Sequence, residues 1–324
     1  MDIEDLLLAI LAITGPIYLM IVLGYLTVRF GLLRKSDMQI FGRFVINLAL
    51  PALVFKAISL QKFGDVLRLD YLLVYGGGSF LTILIGHLWC SQIKRQTPLQ
   101  SSVSAMGMAC SNSGFVGYPI LLLILPSVAG SVLALNMVIE NLLVIPFVLT
   151  MTERAHLNGG SWRDVPRILK RLIRNPLMLG LAAGLAVSAC DISLPAVVTR
   201  TVDMLAATCG ALSLILIGGA LSGFSIQGHW SRILSIACGK LILHPTCVLL
   251  VCIMLPSMGL PELAAPLVGA ALLSAAMPMM GIYPSLAQAY GEGELCSGAL
   301  LVATMLSFIT ISTLLALLPQ AGLL

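Results

Sequence analysis

Glu140 and Lys240 are ionisable residues set inside apolar stretches of this 324-residue chain, and they raise the first chemical question. A charge at the centre of a bilayer costs at least about 2.5–3.5 kcal/mol on insertion scales, so neither residue belongs against lipid. Glu140 could be protonated, could pair with Lys240, or could carry a coupling proton. Lys240 could instead attract a carboxylate substrate, and a purely structural ion pair satisfies the same pattern. His244 follows Lys240 by four residues and can share its helix face, although a lone histidine before Pro245 reads first as a hydrogen-bonded helix feature. Asn136 and Asn141 flank Glu140, which implies that this stretch faces protein or water on part of its surface.

A second kind of chemistry comes from interrupted backbone. The run from Gly107 to Pro126 is apolar, yet it carries Ser111, Asn112, Ser113, Gly114, Gly117 and Pro119 at its middle. Glycine weakens a helix, and proline lacks an N–H and clashes with the preceding turn, so a helix break is expected here. In hydrocarbon, broken backbone is tolerable only where protein or a water-filled cavity satisfies its polar groups. A later run, LLSAAMPMMGIYPSLAQAY, repeats the pattern with Pro278, Gly281, Tyr283, Pro284, Ser285 and Gln288. Here Pro278 and Pro284 each remove a donor and are expected to free carbonyls of the preceding turns. If the two breaks cross, helix N-termini meet in one volume, and their unpaired N–H groups suit an anion. Asn112 and Gly114 to Pro119 would form one wall, Pro278 and the N–H groups beyond it the other. Met277 to Met280 read as apolar wall rather than ligand.

Other polar positions have plainer explanations. Asn47 and Pro51 stand one helical turn apart, and Asn47 is expected to cap carbonyls released by the proline kink. The pairs Gly180 and Gly184, and Gly219 and Gly223, form small-xxx-small faces suited to close helix packing. No GKS/T phosphate loop, HExxH, paired-carboxylate motif or GxSxG elbow is present, which argues against an ATP-driven pump and against a hydrolytic enzyme. No CxxC pair occurs among the eight cysteines, so neither a metal site nor a disulfide framework is expected.

The elements that position these residues follow from composition. The chain is 59% hydrophobic and only 10% charged, with a mean hydropathy of +1.03, whereas soluble domains carry about 25% charged residues. Its apolar residues come in stretches of bilayer-spanning size, about 20 residues each. An all-α polytopic membrane protein is expected. The net charge of +4 reflects basic loops, not a nucleic-acid surface. Asp2, Glu4 and Asp5 make the first stretch a poor cleavable signal peptide.

Ten transmembrane spans are expected at 5–27, 38–59, 70–91, 100–124, 129–151, 174–190, 197–222, 232–255, 263–288 and 296–317. The split between the fourth and fifth rests on Pro126-Ser127, and nine is the competing count. Residues 153–173 form a basic cytoplasmic linker, part of which could lie on the membrane surface, between repeats at 1–152 and 174–324. With ten spans, thirteen lysines and arginines fall on one side and four on the other. The positive-inside rule makes the rich side cytoplasmic and both termini periplasmic. Pro16 and Gly24 are echoed by Pro176 and Gly184 at the same separation, and Pro119 by Pro278. Five spans per repeat force opposite orientations, the inverted-repeat plan of many secondary transporters, with broken fourth and ninth helices crossing near the midplane.

These residues also carry a resemblance. NLALPALVF at 47–55, CSNSGFVGYP at 110–119, RNPLMLGLAAGL at 174–185, LSLILIGGAL at 212–221 and the proline-bearing ninth span resemble the auxin efflux carrier family, particularly its bacterial malonate-carrier-like group. The likeness runs over essentially the whole chain. It implies a five-plus-five inverted fold with helices 1, 2, 6 and 7 as scaffold and helices 3–5 and 8–10 as a moving transport domain. It also implies organic-anion substrates and allows a homodimer, for which no sequence periodicity marks an interface. The family's crossover asparagine and proline fall on Asn112 and Pro119, and its second crossover proline on Pro278, with Pro284 as the alternative. The long cytoplasmic loop of plant auxin carriers is missing, which argues against a kinase-regulated auxin exporter.

The expected function is therefore secondary active transport of a small mono- or dicarboxylate such as malonate, by alternating access, in a bacterial inner membrane. The chain is not expected to be an enzyme, and its expected partners are the anion and the lipid bilayer. The alternatives are a sodium- or proton-coupled symporter of bulkier organic anions and a membrane sensor without transport.

Overall fold

The computed structural model describes residues 3–34, 36–60, 68–156, 176–221, 229–260 and 262–324, and among them the regular structure is helical with no strand. The expected linker lies outside the described residues from 157 to 173. Twelve helical segments follow in order: α1 (Ile3–Arg29), α2 (Asp37–Ser59), α3 (Leu69–Ile93), α4 (Pro98–Ala109), α5 (Ser113–Ile124), α6 (Pro126–His156), α7 (Pro176–Ala189), α8 (Ala196–Leu221), α9 (Trp230–Met254), α10 (Ala265–Ala276), α11 (Tyr283–Gln288) and α12 (Gly293–Leu317). Six of them, α2, α3, α6, α8, α9 and α12, are long and apolar enough to cross a membrane. The protein is thus a multi-pass helical membrane protein. The fourth and ninth expected spans are each two helices, α4 with α5 and α10 with α11.

Helix boundaries follow local chemistry. Thr97 caps α4 by accepting from the Gln100 N–H, the Gln100 side chain returns to the Thr97 N–H, and Pro98 occupies the first turn, where its missing donor is harmless. The break at Pro126 is present: Leu125 is non-helical, and Pro126 opens α6. Gly291, at φ +77°, makes the turn before α12 in a conformation that side chains disfavour.

Among the described residues, five helices contain a π turn, at Val45–Ala49, Trp89–Ile93, Ser113–Gly117, Ile139–Val144 and Gly239–Leu243. Each such turn accommodates an extra residue and shifts the faces on either side of it, and π turns of this kind concentrate at functional sites. Asn47, Ser113, Glu140 and Lys240 all lie in one.

The chain divides into two compact units, each drawing on both halves of the sequence. One comprises residues 1–67, 114–134 and 173–225. In this unit α1 packs on α8 and α7 on α2. Both contacts are backbone-close: a Cβ on Gly24 would collide with the Ile215 backbone, and one on Gly180 would come within 2.6 Å of the Pro51 carbonyl oxygen. Gly184 meets Ile58 and Phe55 in the same seam, and Gly219 packs on Met38. Gly223 lies outside the described residues. Lipid tails are as apolar as leucine, so close approach of small residues supplies the packing that holds such helices together.

The other unit comprises residues 68–113, 135–172 and 226–324. It contains α3, α4, the later part of α6 and α9 to α12. Here α3 packs on α9 and α4, and α4 packs on α6. Helices α4 and α10 are buried almost throughout. They end by turning extended, at Cys110 and at Met277.

Candidate functional site

The extended residues after α4 and α10 meet as a one-bridge antiparallel pair between Ser111 and Met279. The Asn112 N–H donates to the Pro278 carbonyl at 2.9 Å, and the Met280 N–H donates to the Cys110 carbonyl at 3.2 Å. Backbone released from helix is thereby paired with backbone, as burial requires. Pro278 stands just past the end of α10, where the absence of its N–H leaves no ladder bond unmade. Met277, Met279 and Met280 are buried around the crossing and form an apolar wall.

The break sits upstream of where the glycine and proline pattern places it. It occupies Cys110 to Asn112, and Gly114 and Gly117 lie in the π turn that opens α5, followed by Pro119 in its first α-helical turn. Pro284 is likewise in the first turn of α11, where proline needs no donor, so it frees no carbonyl of a preceding turn. Gly281 lies in the turn that leads into α11.

A buried polar cluster surrounds the crossing. Asn112 and Ser113 are buried at its centre. The Ser113 hydroxyl donates to Glu140 Oε1 at 2.7 Å, and the Tyr75 hydroxyl stands 3.0 Å from the same oxygen. Tyr75 is also 3.0 Å from Ser111 Oγ, and with a single proton it donates to Glu140 while accepting from Ser111. One turn along α6, Asn136 Oδ1 accepts from Tyr71 at 2.9 Å. Asn136 Nδ2 is buried with no partner among the described residues.

Lys240 is fully buried, and it is held without a carboxylate. Its ammonium donates to His244 Nδ1 at 2.9 Å and to the Ala275 carbonyl at the end of α10. Ser79 donates to the Tyr75 carbonyl at 2.8 Å, which leaves its oxygen to accept from His244 Nε2 at 3.0 Å. That pattern assigns the imidazole proton to Nε2 and the lone pair to Nδ1, facing Lys240. Glu140 and Lys240 are thus held by separate partners and form no direct ion pair. Of the sequence alternatives, the structural pair is the one the geometry removes.

Three contributors were not singled out from sequence: Tyr71, Tyr75 and Ser79 on α3. Their spacing of four residues, Tyr-xxx-Tyr-xxx-Ser, was the available signal for one polar stripe on an apolar helix. Asn141 stays outside the cluster and donates to the Met137 carbonyl at 3.0 Å, satisfying the π turn of α6. Asn47 is exposed, and its amide donates to the Arg43 carbonyl at 2.7 Å. It therefore caps a carbonyl eight residues before Pro51, out of reach of the bond that Pro51 cannot make.

The whole arrangement holds a carboxylic side chain among hydroxyl donors and an ammonium next to imidazole, at a point where two helices are interrupted. Such a cluster can exchange protons or bind an anion. Comparison with known proteins bears on which chemistry it serves. Residues 10–159 and 161–315 match a family model described as "Membrane transport protein". The chain is 28% identical over 320 residues, 96% of its length and 97% of the relative's, to a protein of Rhizobium meliloti (strain 1021) named "Putative malonate transporter". It is 29% identical over 110 residues, 32% of its length and 34% of the relative's, to an "Uncharacterized transporter" of Methanothermobacter thermautotrophicus (strain Delta H). With both halves matched and the crossing formed by the motifs that carry the likeness, the chain belongs to the membrane transport protein family, that of the auxin efflux carriers.

Proposed function

We propose that this protein is a secondary transporter of small organic anions, a mono- or dicarboxylate such as malonate, working by alternating access around the crossing of the breaks that follow α4 and α10. The observation that carries this reading is the pair of interrupted helices joined through Asn112 and Pro278 with Glu140 and Lys240 buried beside them. Discontinuous helices of this kind supply oriented N–H groups to anionic substrates in transporters. The name of the Rhizobium relative supports malonate as the first substrate to try.

Proton coupling runs through Glu140 in this reading, with Lys240 and His244 tuning its charge. Tyr75 and Ser113 donate to Glu140 and would hold its carboxyl in place through protonation and release. Ten spans arranged as a five-plus-five inverted repeat frame the mechanism. Helices α1, α2, α7 and α8 would form the scaffold, and α3 to α6 with α9 to α12 the transport domain. The setting is a bacterial inner membrane with both termini periplasmic, an orientation that rests on the distribution of basic residues.

The decisive experiment is uptake into liposomes loaded with purified protein. Labelled malonate, other mono- and dicarboxylates and indole acids are compared, with sodium present or absent and across pH. Malonate-dependent counterflow is the expected result, with net uptake stimulated by an inward proton gradient and indifferent to sodium. Binding without flux for every acid would refute transport and indicate a receptor.

A further inference from the structure

Away from the crossing, the second unit holds a cavity of about 220 Å³ between the end of α3 and the start of α9, lined by Lys94, Gln96, His229, Ser231 and Arg232. That is roughly the volume of seven liquid waters. Its lining is rich in hydrogen-bond donors. Gln96 Oε1 is taken up by the Ser104 hydroxyl at 3.1 Å, which leaves the Gln96 amide N–H groups to face a ligand. Arg232 is fixed by Glu292 at 2.8 Å and by the Gln100 carbonyl at 3.2 Å. Its Nε is buried and has no partner among the described residues. Lys94 closes the rim, with its ammonium 3.5 Å from Ser231 Oγ. Glu292 balances Arg232, so Lys94 and the positive end of α9 leave a net positive cavity. Trp89 near the end of α3 and Trp230 at the start of α9 are about half accessible, and exposed tryptophans on spanning helices mark headgroup depth.

We infer that this cavity binds a phosphate group, supplied by the headgroup of an anionic phospholipid in the membrane around the protein. Phosphate offers several acceptor oxygens and negative charge to a site that offers converging donors and net positive charge. Basic pockets of this kind between spanning helices are known to take lipid headgroups.

The test uses the full chain in detergent and follows its thermal stability during titration with short-chain phosphatidylglycerol, short-chain phosphatidylcholine and inorganic phosphate. Phosphatidylglycerol is expected to stabilise the wild type. The K94Q/S231A double variant is expected to need about tenfold more of it for the same shift. K94E, a charge reversal at an exposed position, gives the same readout if the double variant folds poorly. Stabilisation by phosphatidylglycerol and not by inorganic phosphate supports the lipid as the source, and equal stabilisation by inorganic phosphate would overturn that source in favour of a free phosphate site. Equal stabilisation by phosphatidylcholine, no stabilisation by any probe, or an unaltered response in both variants would overturn the proposal.

Discussion

The backbone N–H of Asn112 donates to the Pro278 carbonyl across 2.9 Å, and this bond ties the interruption of the fourth span to that of the ninth. The bond is made by backbone, so replacing the Asn112 side chain does not itself remove it. The carboxamide is therefore open to mutation without removing the bridge.

Asn112→Ala is expected to keep the fold and weaken malonate binding. A direct hydrogen bond to a carboxylate lost in a buried site corresponds to about 1–3 kcal/mol, or roughly a five- to 150-fold rise in Kd. Asn47→Ala removes the bond to the Arg43 carbonyl and is expected to lower stability by about 1 kcal/mol with binding unchanged. Equilibrium binding on monodisperse protein decides it: wild-type affinity in the Asn112 variant would give Asn112 a structural role only.

Glu140→Gln keeps an acceptor for Tyr75 and Ser113 but cannot carry a proton. The variant should fold, retain malonate exchange between equal pools, and lose the acceleration of net uptake by an inward proton gradient. An unchanged response to the gradient would place the coupling proton elsewhere.

Lys240→Ala leaves His244 Nδ1 and the Ala275 carbonyl without their shared donor in a fully buried place. Each orphaned acceptor corresponds to about 1–3 kcal/mol, so a clear drop in thermal stability in detergent is expected. The double change Lys240→Met with His244→Phe removes donor and acceptor together and should be milder than Lys240→Ala. Stability in Lys240→Ala equal to wild type would contradict this account of how the ammonium is held.

Gly180→Ala puts a methyl within 2.6 Å of the Pro51 carbonyl oxygen, a backbone atom that cannot swing aside. The expected loss is about 1–3 kcal/mol from overpacking. Gly15→Ala, which meets nothing within 4 Å, should be neutral or slightly stabilising. Equal melting temperatures for the two variants would show that the α2–α7 seam yields more readily than its geometry implies.

Orientation is tested in a cysteine-free background. A cysteine at Gln61 should react with a membrane-impermeant maleimide from outside intact cells, and a cysteine at Gly160 should not. Reversal of both results would invert the topology, and a change in the first alone would place the error in the first half's span count.

Much of the helical framework was legible from the chain. Apolar runs of spanning length between polar breaks placed α2, α3, α6, α8, α9 and α12 to within a few residues, because the bilayer imposes both the length and the polarity of a span. The same constraint made residues 107–126 and 263–288 visible as interrupted. Lys240 and His244 could be assigned to one face from their spacing alone, since residues four apart are neighbours on any helix.

Tertiary structure alone decided how these pieces are joined. The fourth-span break falls at Cys110 to Asn112, not at the glycines and proline that suggested it, because Cys110 and Asn112 gain backbone partners in Met280 and Pro278. Gly114, Gly117 and Pro119 can then enter a π turn and a first helical turn at little expense. Glu140 faces Tyr75 and Ser113, and Lys240 faces His244 and the end of α10, although opposite charge alone would have paired them. Local spacing determines which residues share a helix face. Which face meets which partner is set by hydrogen bonds between distant segments, since buried donors and acceptors must be satisfied by whatever the packed helices bring within reach.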